Sequence, residues 1–368
     1  MTGLNGHRVY LDWNATAPLR PEARAAMREA MDVVGNPSSV HAEGRAARKI
    51  VERARAQVAD LVSCEPSEIV FTSSATEAAA LLRNPLPGYD VLVEDTAHDC
   101  LWAHTAISAW PDRPKGPGHT LAWGLANGET GIVRRPERDA DGWVHGHARA
   151  NWLFLDVVQA AGRIPLTLSD EGADFSCLSA HKLGGPKGAG ALTVRGGVDI
   201  TPVLAGGGQE SGRRAGTENV IGIAGFGAAA EAALRDLEAG LWDRVARLRN
   251  ILEEALAEPA PETIFFGQES PRLPNTSCFA MPGWRGETQV MQMDLAGFAV
   301  SAGSACSSGK VRESRVLRAM GHDAETASSA IRVSLGPTTT EAEIRAFAKA
   351  WIAAYKKRRA RANTPLPV

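Results

Sequence analysis

The chain has 368 residues, 44% of them hydrophobic and 22% charged, with a formal net charge of −2. That balance gives no electrostatic case for nucleic acid, and no apolar run approaches the roughly 20 residues that span a bilayer. The five cysteines (64, 100, 177, 278 and 306) are scattered, odd in number and without a Cys-x-x-Cys pair. They suit neither a disulfide framework nor a zinc site, and four lie in apolar stretches where an inert thiol is the default. The first dozen residues lack a basic-then-apolar leader. The expectation is a cytoplasmic globular protein without a metal site, large enough for one large domain and a smaller one.

Val9-Tyr10-Leu11-Asp12 is a short apolar run, broken by residues 14–18. Pro21 opens a helix that reads to Met31. Gly35-Asn36-Pro37-Ser38-Ser39 is an irregular loop. Over residues 43–62 the apolar positions Ala47, Ile50, Val51, Ala54, Val58, Leu61 and Val62 keep helical spacing. Ile69-Val70-Phe71-Thr72 reads as a buried strand that runs into Ser73-Ser74-Ala75-Thr76-Glu77 and a short helix. Small hydroxyl residues at such a junction either cap the helix or make an anion site at its positive end.

Further strands follow at residues 91–94, 120–125, 152–156 and 174–178. Each ends in polar residues: His98, Asn127, Asp156 with Gln159, and Ser179-Ala180-His181-Lys182. A glycine/proline turn over 183–190 then leads into Ala191-Leu192-Thr193-Val194. Strands alternating with helices argue a mainly parallel central sheet flanked by helices. Ligands of such sheets bind at the carboxyl ends of the strands. Thr76, His98, Asn127, Asp156, Gln159, Ser179, His181 and Lys182 therefore belong to one edge. Lys182 is one of only eight lysines in a chain with 32 arginines. It is either a surface lysine beside a turn or an amine displayed to condense with an aldehyde.

Residues 206–217 form a glycine-rich loop with Arg213, Arg214 and Thr217, suited to an anion or a subunit contact. One long helix is expected next, with Leu234, Leu237, Leu241, Val245, Leu248, Leu252 and Leu256 as its buried stripe. The domain assignment is a large α/β domain over 13–234 and a small α+β domain made of 1–12 and 235–368. In the small domain, small and polar residues surround Cys306 over 302–309, and a mobile loop is expected there. Arg332 lies inside the apolar strand Ile331-Arg332-Val333-Ser334-Leu335, so it pairs with a structural acid or with a substrate carboxylate. The basic run over 356–361 reads as the solvated end of a terminal helix. No glycine cluster fits the dinucleotide or P-loop patterns. A Cys-His-Asn protease is allowed by residue types, but Cys306 lies on a flexible loop rather than at a rigid helix start.

Taken together and in order, several segments resemble a known family. They are Gly35-Asn36-Pro37-Ser38-Ser39, Phe71-Thr72-Ser73-Ser74-Ala75-Thr76-Glu77, Asp156-Val157-Val158-Gln159, Ser179-Ala180-His181-Lys182, Arg214-Ala215-Gly216-Thr217, Ser304-Ala305-Cys306 and Ile331-Arg332. The chain resembles cysteine desulfurases of the NifS/IscS kind, class-V aminotransferases within the fold-type-I pyridoxal-phosphate enzymes, over residues 10–343. The resemblance implies that Lys182 holds pyridoxal 5'-phosphate covalently and that Asp156 pairs with its ring nitrogen. His98 would stack on the ring. Gln159 would hydrogen-bond its phenolic oxygen, with Asn127 nearby. Ala75, Thr76, Ser179 and His181 would hold the phosphate, and Thr217 would reach in from the second subunit of a homodimer. Arg332, with Asn14, would bind the carboxylate of L-cysteine. Lys182 would move the Cα proton, His98 would act as local base, and Cys306 would attack the substrate sulfur. The products would be L-alanine and a persulfide on Cys306, passed to a sulfur-acceptor protein such as a scaffold or sulfurtransferase, with iron–sulfur cluster assembly one destination.

This chain departs from the family pattern in three places. Gly128 stands where a second asparagine is usual, Ala78-Ala79-Ala80 replaces a polar Ser-Asn-Asn, and the segment between Leu82 and His98 is short. Two alternatives stay open: another pyridoxal-phosphate lyase or aminotransferase of the same fold, and a degenerate copy kept as a non-catalytic partner.

Overall fold

A computed structural model describes residues 7–83, 89–105, 118–303 and 313–362; Cys306 and residues 304–309 of its expected mobile loop lie outside the described residues. The chain divides into two compact units. The larger comprises Thr16–Asn127 and Val133–Ala239, and the smaller Met1–Ala15, Gly128–Ile132 and Gly240–Val368. Nothing in the sequence signals the brief excursion of Gly128–Ile132 into the smaller unit.

The larger unit is built on a six-stranded sheet in the order Ile69–Thr72, Gly190–Val194, Phe175–Ser179, Trp152–Asp156, Gly118–Gly124, Tyr89–Val93. The last four are parallel to one another, and Gly190–Val194 runs antiparallel to both of its neighbours. Its central strands are near-continuous apolar runs because both faces are covered: Leu153, Phe154, Phe175 and Cys177 are fully buried. Helices Pro21–Met31 and Ala42–Val62 belong to this layer with Val220–Glu238. The approach of Val220–Glu238 to Ala42–Val62 requires glycine, since a Cβ at Gly227 would lie 2.6 Å from the Ala54 Cα.

Two expectations change. Between Gly118–Gly124 and Trp152–Asp156 the chain forms no helix. It makes a three-stranded antiparallel sheet of Arg138–Asp139, Gly142–His145 and Ala148–Ala150. Gly142 makes the tight turn at φ 134°, where a Cβ would lie 2.5 Å from the Ala150 carbonyl oxygen. The expected long helix is also two helices, Val220–Glu238 and Leu241–Ala257, separated by Gly240 at φ 64°. The leucine stripe is continuous in sequence but not in space. Val245, Leu248, Leu252 and Leu256 are buried, whereas Leu234, Leu237 and Leu241 are only half-buried.

The smaller unit carries an antiparallel sheet in the order Ile264–Phe265, Thr276–Ala280, Ala330–Ser334, Ser301–Ala302. Its core centres on Trp351, whose ring centroid lies 5.2 Å from Trp284 and 5.6 Å from Phe279. Gln289 is fully buried there with both ends of its amide used. It donates to the Trp284 and Ser329 carbonyls and accepts from Trp351 Nε1 at 2.9 Å. The N-terminal run joins this unit. Val9–Tyr10 pairs in parallel with Phe298–Ala299, and Asp12 bridges to Ser334. Among the described residues no helix is long and apolar enough to cross a membrane.

Candidate active site

In the larger unit, sheet register brings the polar strand ends together. Gly190 stands opposite both Thr72 and Ser179, and Asp156 stands opposite both Cys177 and Gly124. A Cβ on Gly190 would lie 2.7 Å from the Ser74 carbonyl carbon. Glycine at this position therefore lets the Ser73–Ala75 turn settle against the row that holds Ser179. Ser74 caps the helix Ala75–Ala79 by accepting from Glu77 N at 3.1 Å. Capping is thus the task of Ser74, while Ala75 is buried and Thr76 exposed. Arg214 donates from Nε to Glu77 at 2.9 Å, which ties the glycine-rich loop to this turn; Thr217, three residues on, is exposed.

His98 caps the short helix Asp99–Trp102, its Nδ1 accepting from Cys100 N at 3.1 Å, and its ring is exposed. With Nδ1 used as an acceptor, the proton of the neutral ring sits on Nε2. Asn127 donates to the Thr96 carbonyl at 3.0 Å. Asp156 is 8% exposed, and its Oδ1 accepts from Val158 N at 2.9 Å. Burial pushes its carboxyl pKa up, against the pull of His98 and Lys182. A buried carboxylate in this setting gains from a further cation, such as a protonated ring nitrogen. Gln159 accepts from Arg163 on its side-chain oxygen, so its amide NH2 is the end able to donate outward.

Lys182 sits in the single 3-10 turn Ala180–Lys182 directly after the strand Phe175–Ser179. Backbone bonds from Ala17 N to the His181 carbonyl and from Arg20 N to the Gly184 carbonyl, both 2.8 Å, hold that turn. Arg20 Nε adds a bond to the Leu183 carbonyl at 2.8 Å. His181 hydrogen-bonds the Thr16 hydroxyl at 3.2 Å. Burial, with the charges of Lys182, Lys187 and Arg163, lowers its pKa to about 4. The unfolded chain therefore takes up a proton that the folded chain resists, and stability falls as pH drops from 6.5 to about 4. The melting temperature of the cofactor-free protein is expected to decline over that window, and His181→Gln to flatten the decline.

In the smaller unit, Arg332 is 8% exposed at the middle of Ala330–Ser334. Its Nη2 donates to Asp12 Oδ1 and its Nη1 to the Gly128 carbonyl, each at 2.9 Å. Its Nε is buried with no acceptor. An unmet buried donor costs about 1–3 kcal/mol. Of the two readings of Arg332, the structural acid is present as Asp12, and one donor is left over. Asn14 is 1% exposed and donates to the Gly128 carbonyl at 3.1 Å and to the Thr276 hydroxyl at 2.9 Å. Its carbonyl accepts from Asn275 Nδ2 at 3.0 Å. Both Asn14 and Arg332 thus lean on the backbone of Gly128, the position where the chain departs from the family pattern.

Sequence inspection did not single out Asp12, Thr16 or Arg163. Asp12 carried one available signal, a lone acid closing the run Val9-Tyr10-Leu11. Arg163 carried none.

The aminotransferase class-V family model matches residues 9–109 and 125–347. A cysteine desulfurase of Cereibacter sphaeroides is 41% identical over 92% of this chain and 93% of its own length. One of Frankia sp. (strain EuIK1) is 40% identical over 92% of this chain and 89% of its own. Among solved structures, a NifS-like protein from Rickettsia africae superposes with a TM-score of 0.82 at 29% identity, covering 95% of this chain and all of that one. Strand-end chemistry, sheet order and these likenesses agree, and the chain belongs to the class-V aminotransferase family, among its NifS-like cysteine desulfurases.

Proposed function

We propose that the protein is a pyridoxal-phosphate cysteine desulfurase that converts L-cysteine to L-alanine and places the sulfur on Cys306 for transfer to an acceptor protein. The observation that carries this reading is Lys182, held in a braced turn at a strand end and felt electrostatically by the buried Asp156. The donor set fits the cofactor: an amine for its aldehyde, a buried carboxylate for its ring nitrogen, an amide donor for its phenolic oxygen, and a turn closed by Gly190 beside Ser179 for its phosphate.

When bound, the cofactor supplies an electron sink that acidifies the substrate Cα–H. The residues do the rest. Lys182 accepts and returns the Cα proton. Asp156 would pair with the ring nitrogen, its carboxylate oriented by the Val158 amide. His181 would donate a hydrogen bond to the phosphate. His98 holds its ring by Nδ1 and presents Nε2–H as a proton donor. Arg332 binds the substrate carboxylate through a planar fork that lysine lacks. Cys306 must react as thiolate, and an ordinary thiol has a pKa of about 8.5, so a base or proton relay is needed at neutral pH.

Cys306→Ala tests the reading. Release of sulfide from L-cysteine is expected to fall at least about a thousandfold, as for loss of a nucleophile. The cofactor's absorbance should be unchanged. Undiminished release would point instead to a lyase or aminotransferase of the same fold, and a colourless protein to a non-catalytic partner.

Thiol labelling gives a second check. Burial raises the pKa of Cys100, Cys177 and Cys278, and burial with Glu68, Glu65 and Asp60 raises that of Cys64 to about 12. Native protein at pH 7 is therefore expected to take up one equivalent of iodoacetamide quickly, mapping to Cys306 by mass spectrometry. Rapid labelling of any other cysteine would contradict this.

A further inference from the structure

Arg332 is held by more than a counter-ion. Asp12 spends one carboxylate oxygen on Arg332 Nη2 at 2.9 Å and the other on the Ser301 hydroxyl, which donates to it at 2.8 Å. Ser301 stands directly opposite Arg332 in the sheet. The main chain of Asp12 is pinned as well. Its backbone bridges to Ser334, with Ser334 N donating to the Leu11 carbonyl at 2.8 Å and Trp13 N to the Ser334 carbonyl at 3.3 Å. The residue is effectively an added strand position beside Ala330–Ser334. On the other side, the Gly128 carbonyl takes Arg332 Nη1 and Asn14 Nδ2 together. The guanidinium is thus fixed in place, paired with a fixed negative charge, and left with a buried Nε that has no acceptor.

A carboxylate arriving at Arg332 must share the guanidinium with Asp12 instead of replacing it. Two like charges on one cation weaken each other's hold. If Arg332 binds the substrate carboxylate, as proposed above, this matters for turnover. L-Cysteine and L-alanine carry the same α-carboxylate, so the Arg332 grip is uniform binding that raises affinity for substrate and product alike. A full-strength grip would retain the product. We propose that Asp12 is a positioning residue that moderates this grip: it keeps the guanidinium oriented and neutralised between turnovers and lets the carboxylate product leave. The inference rests on the substrate role of Arg332 and adds Asp12 to it.

Asp12→Asn keeps an oxygen for Arg332 Nη2 and removes the charge. Calorimetric titration of L-alanine into the pyridoxal-phosphate-loaded protein is expected to show binding tightened about tenfold, the scale of one moderated charge contact. L-Alaninamide, which lacks the carboxylate, should bind as it does to the unaltered protein. The KM for L-cysteine should fall with alanine's dissociation constant, and kcat should not rise. Mere structural damage would weaken binding, so the direction is diagnostic. Ser301→Ala is the companion variant. It leaves the Asp12 charge unshared, and alanine is expected to bind about threefold more weakly, the size of one hydrogen bond's net effect. Unchanged or weakened alanine binding in Asp12→Asn overturns the proposal, as does a shift of both variants in the same direction. Arg332→Ala separates this from the underlying reading. If it leaves alanine binding intact, the carboxylate role of Arg332 fails. If it abolishes binding while Asp12→Asn changes nothing, only the Asp12 proposal fails.

Discussion

Lys182→Ala is expected to lower turnover of L-cysteine by at least about a thousandfold, the scale on which covalent catalytic groups act. On the proposed reading two functions are lost at one atom, the covalent link to the cofactor and the base at the substrate Cα. The fold should survive. Lys182 is half-buried in a turn that backbone bonds hold, Ala17 N to the His181 carbonyl and Arg20 N to the Gly184 carbonyl. A melting temperature within a few degrees of the unaltered protein would confirm that separation. Lys182→Arg sharpens the test. It preserves the charge that acts on Asp156 but cannot form the covalent link or serve as a base near neutral pH. If charge alone mattered, Lys182→Arg would recover most of the activity; it is expected to recover none. Addition of a small primary amine should restore part of the lost rate in Lys182→Ala only.

The larger unit was legible in sequence because its signals are local. Phe154-Leu155-Asp156 and Leu178-Ser179 announce buried strands that end in polar residues, and a parallel sheet collects such ends at one edge. Ser74 was legible in kind but not in role. The same hydroxyl suits a cap or an anion, and the 3.1 Å bond from Glu77 N assigns the cap. The small antiparallel sheet over residues 138–150 was not visible, because its strands are two to four residues long and depend on a turn at Gly142. The break at Gly240 was hidden by leucines that keep helical spacing across it, although the two halves belong to different units. The bonds of Asp12 and Gly128 to Arg332 escaped for another reason. The two residues act on Arg332 from 320 and 204 residues away in the chain, one through a carboxylate and one through a backbone carbonyl. No periodicity records a partner at that distance, and a backbone carbonyl leaves no trace in residue type.

Glu210→Ala carries the largest expected cost to stability, about 3–5 kcal/mol, the range for breaking one side of a buried ion pair. Glu210 is 7% exposed and Arg55 8%. Arg55 forks onto both oxygens of Glu210 at 2.7 and 2.8 Å, and Phe71 N donates to the same carboxylate at 2.9 Å. Removing the carboxylate takes from the buried guanidinium its buried counter-ion, leaving the exposed Glu52 at 3.2 Å, and deprives a backbone donor of its acceptor. The guanidinium keeps only the Ile69 carbonyl at 2.7 Å, its side-chain contact with Glu52, and its place 5.0 Å from the Phe71 ring. Glu210 also stands at φ 49°, followed by Ser211 at φ 57°, a left-handed conformation that costs a non-glycine residue about 1–2 kcal/mol. Glu210→Gly should therefore destabilise less than Glu210→Ala, because glycine relieves the backbone while losing the same carboxylate. Urea denaturation of the three proteins should rank the unaltered chain first, Glu210→Gly second and Glu210→Ala last; equal midpoints for the two variants would remove the backbone part of the argument. The damage should also reach the cofactor edge. Arg213 Nε donates to the Glu210 carbonyl at 3.2 Å, and the next residue, Arg214, holds Glu77 below the Ser73–Ala75 turn. The ion pair thus anchors the start of the segment whose end braces the turn beside Ser179. Weaker binding of pyridoxal phosphate in Glu210→Ala, with Lys182 untouched, is the expected sign that this anchoring is transmitted.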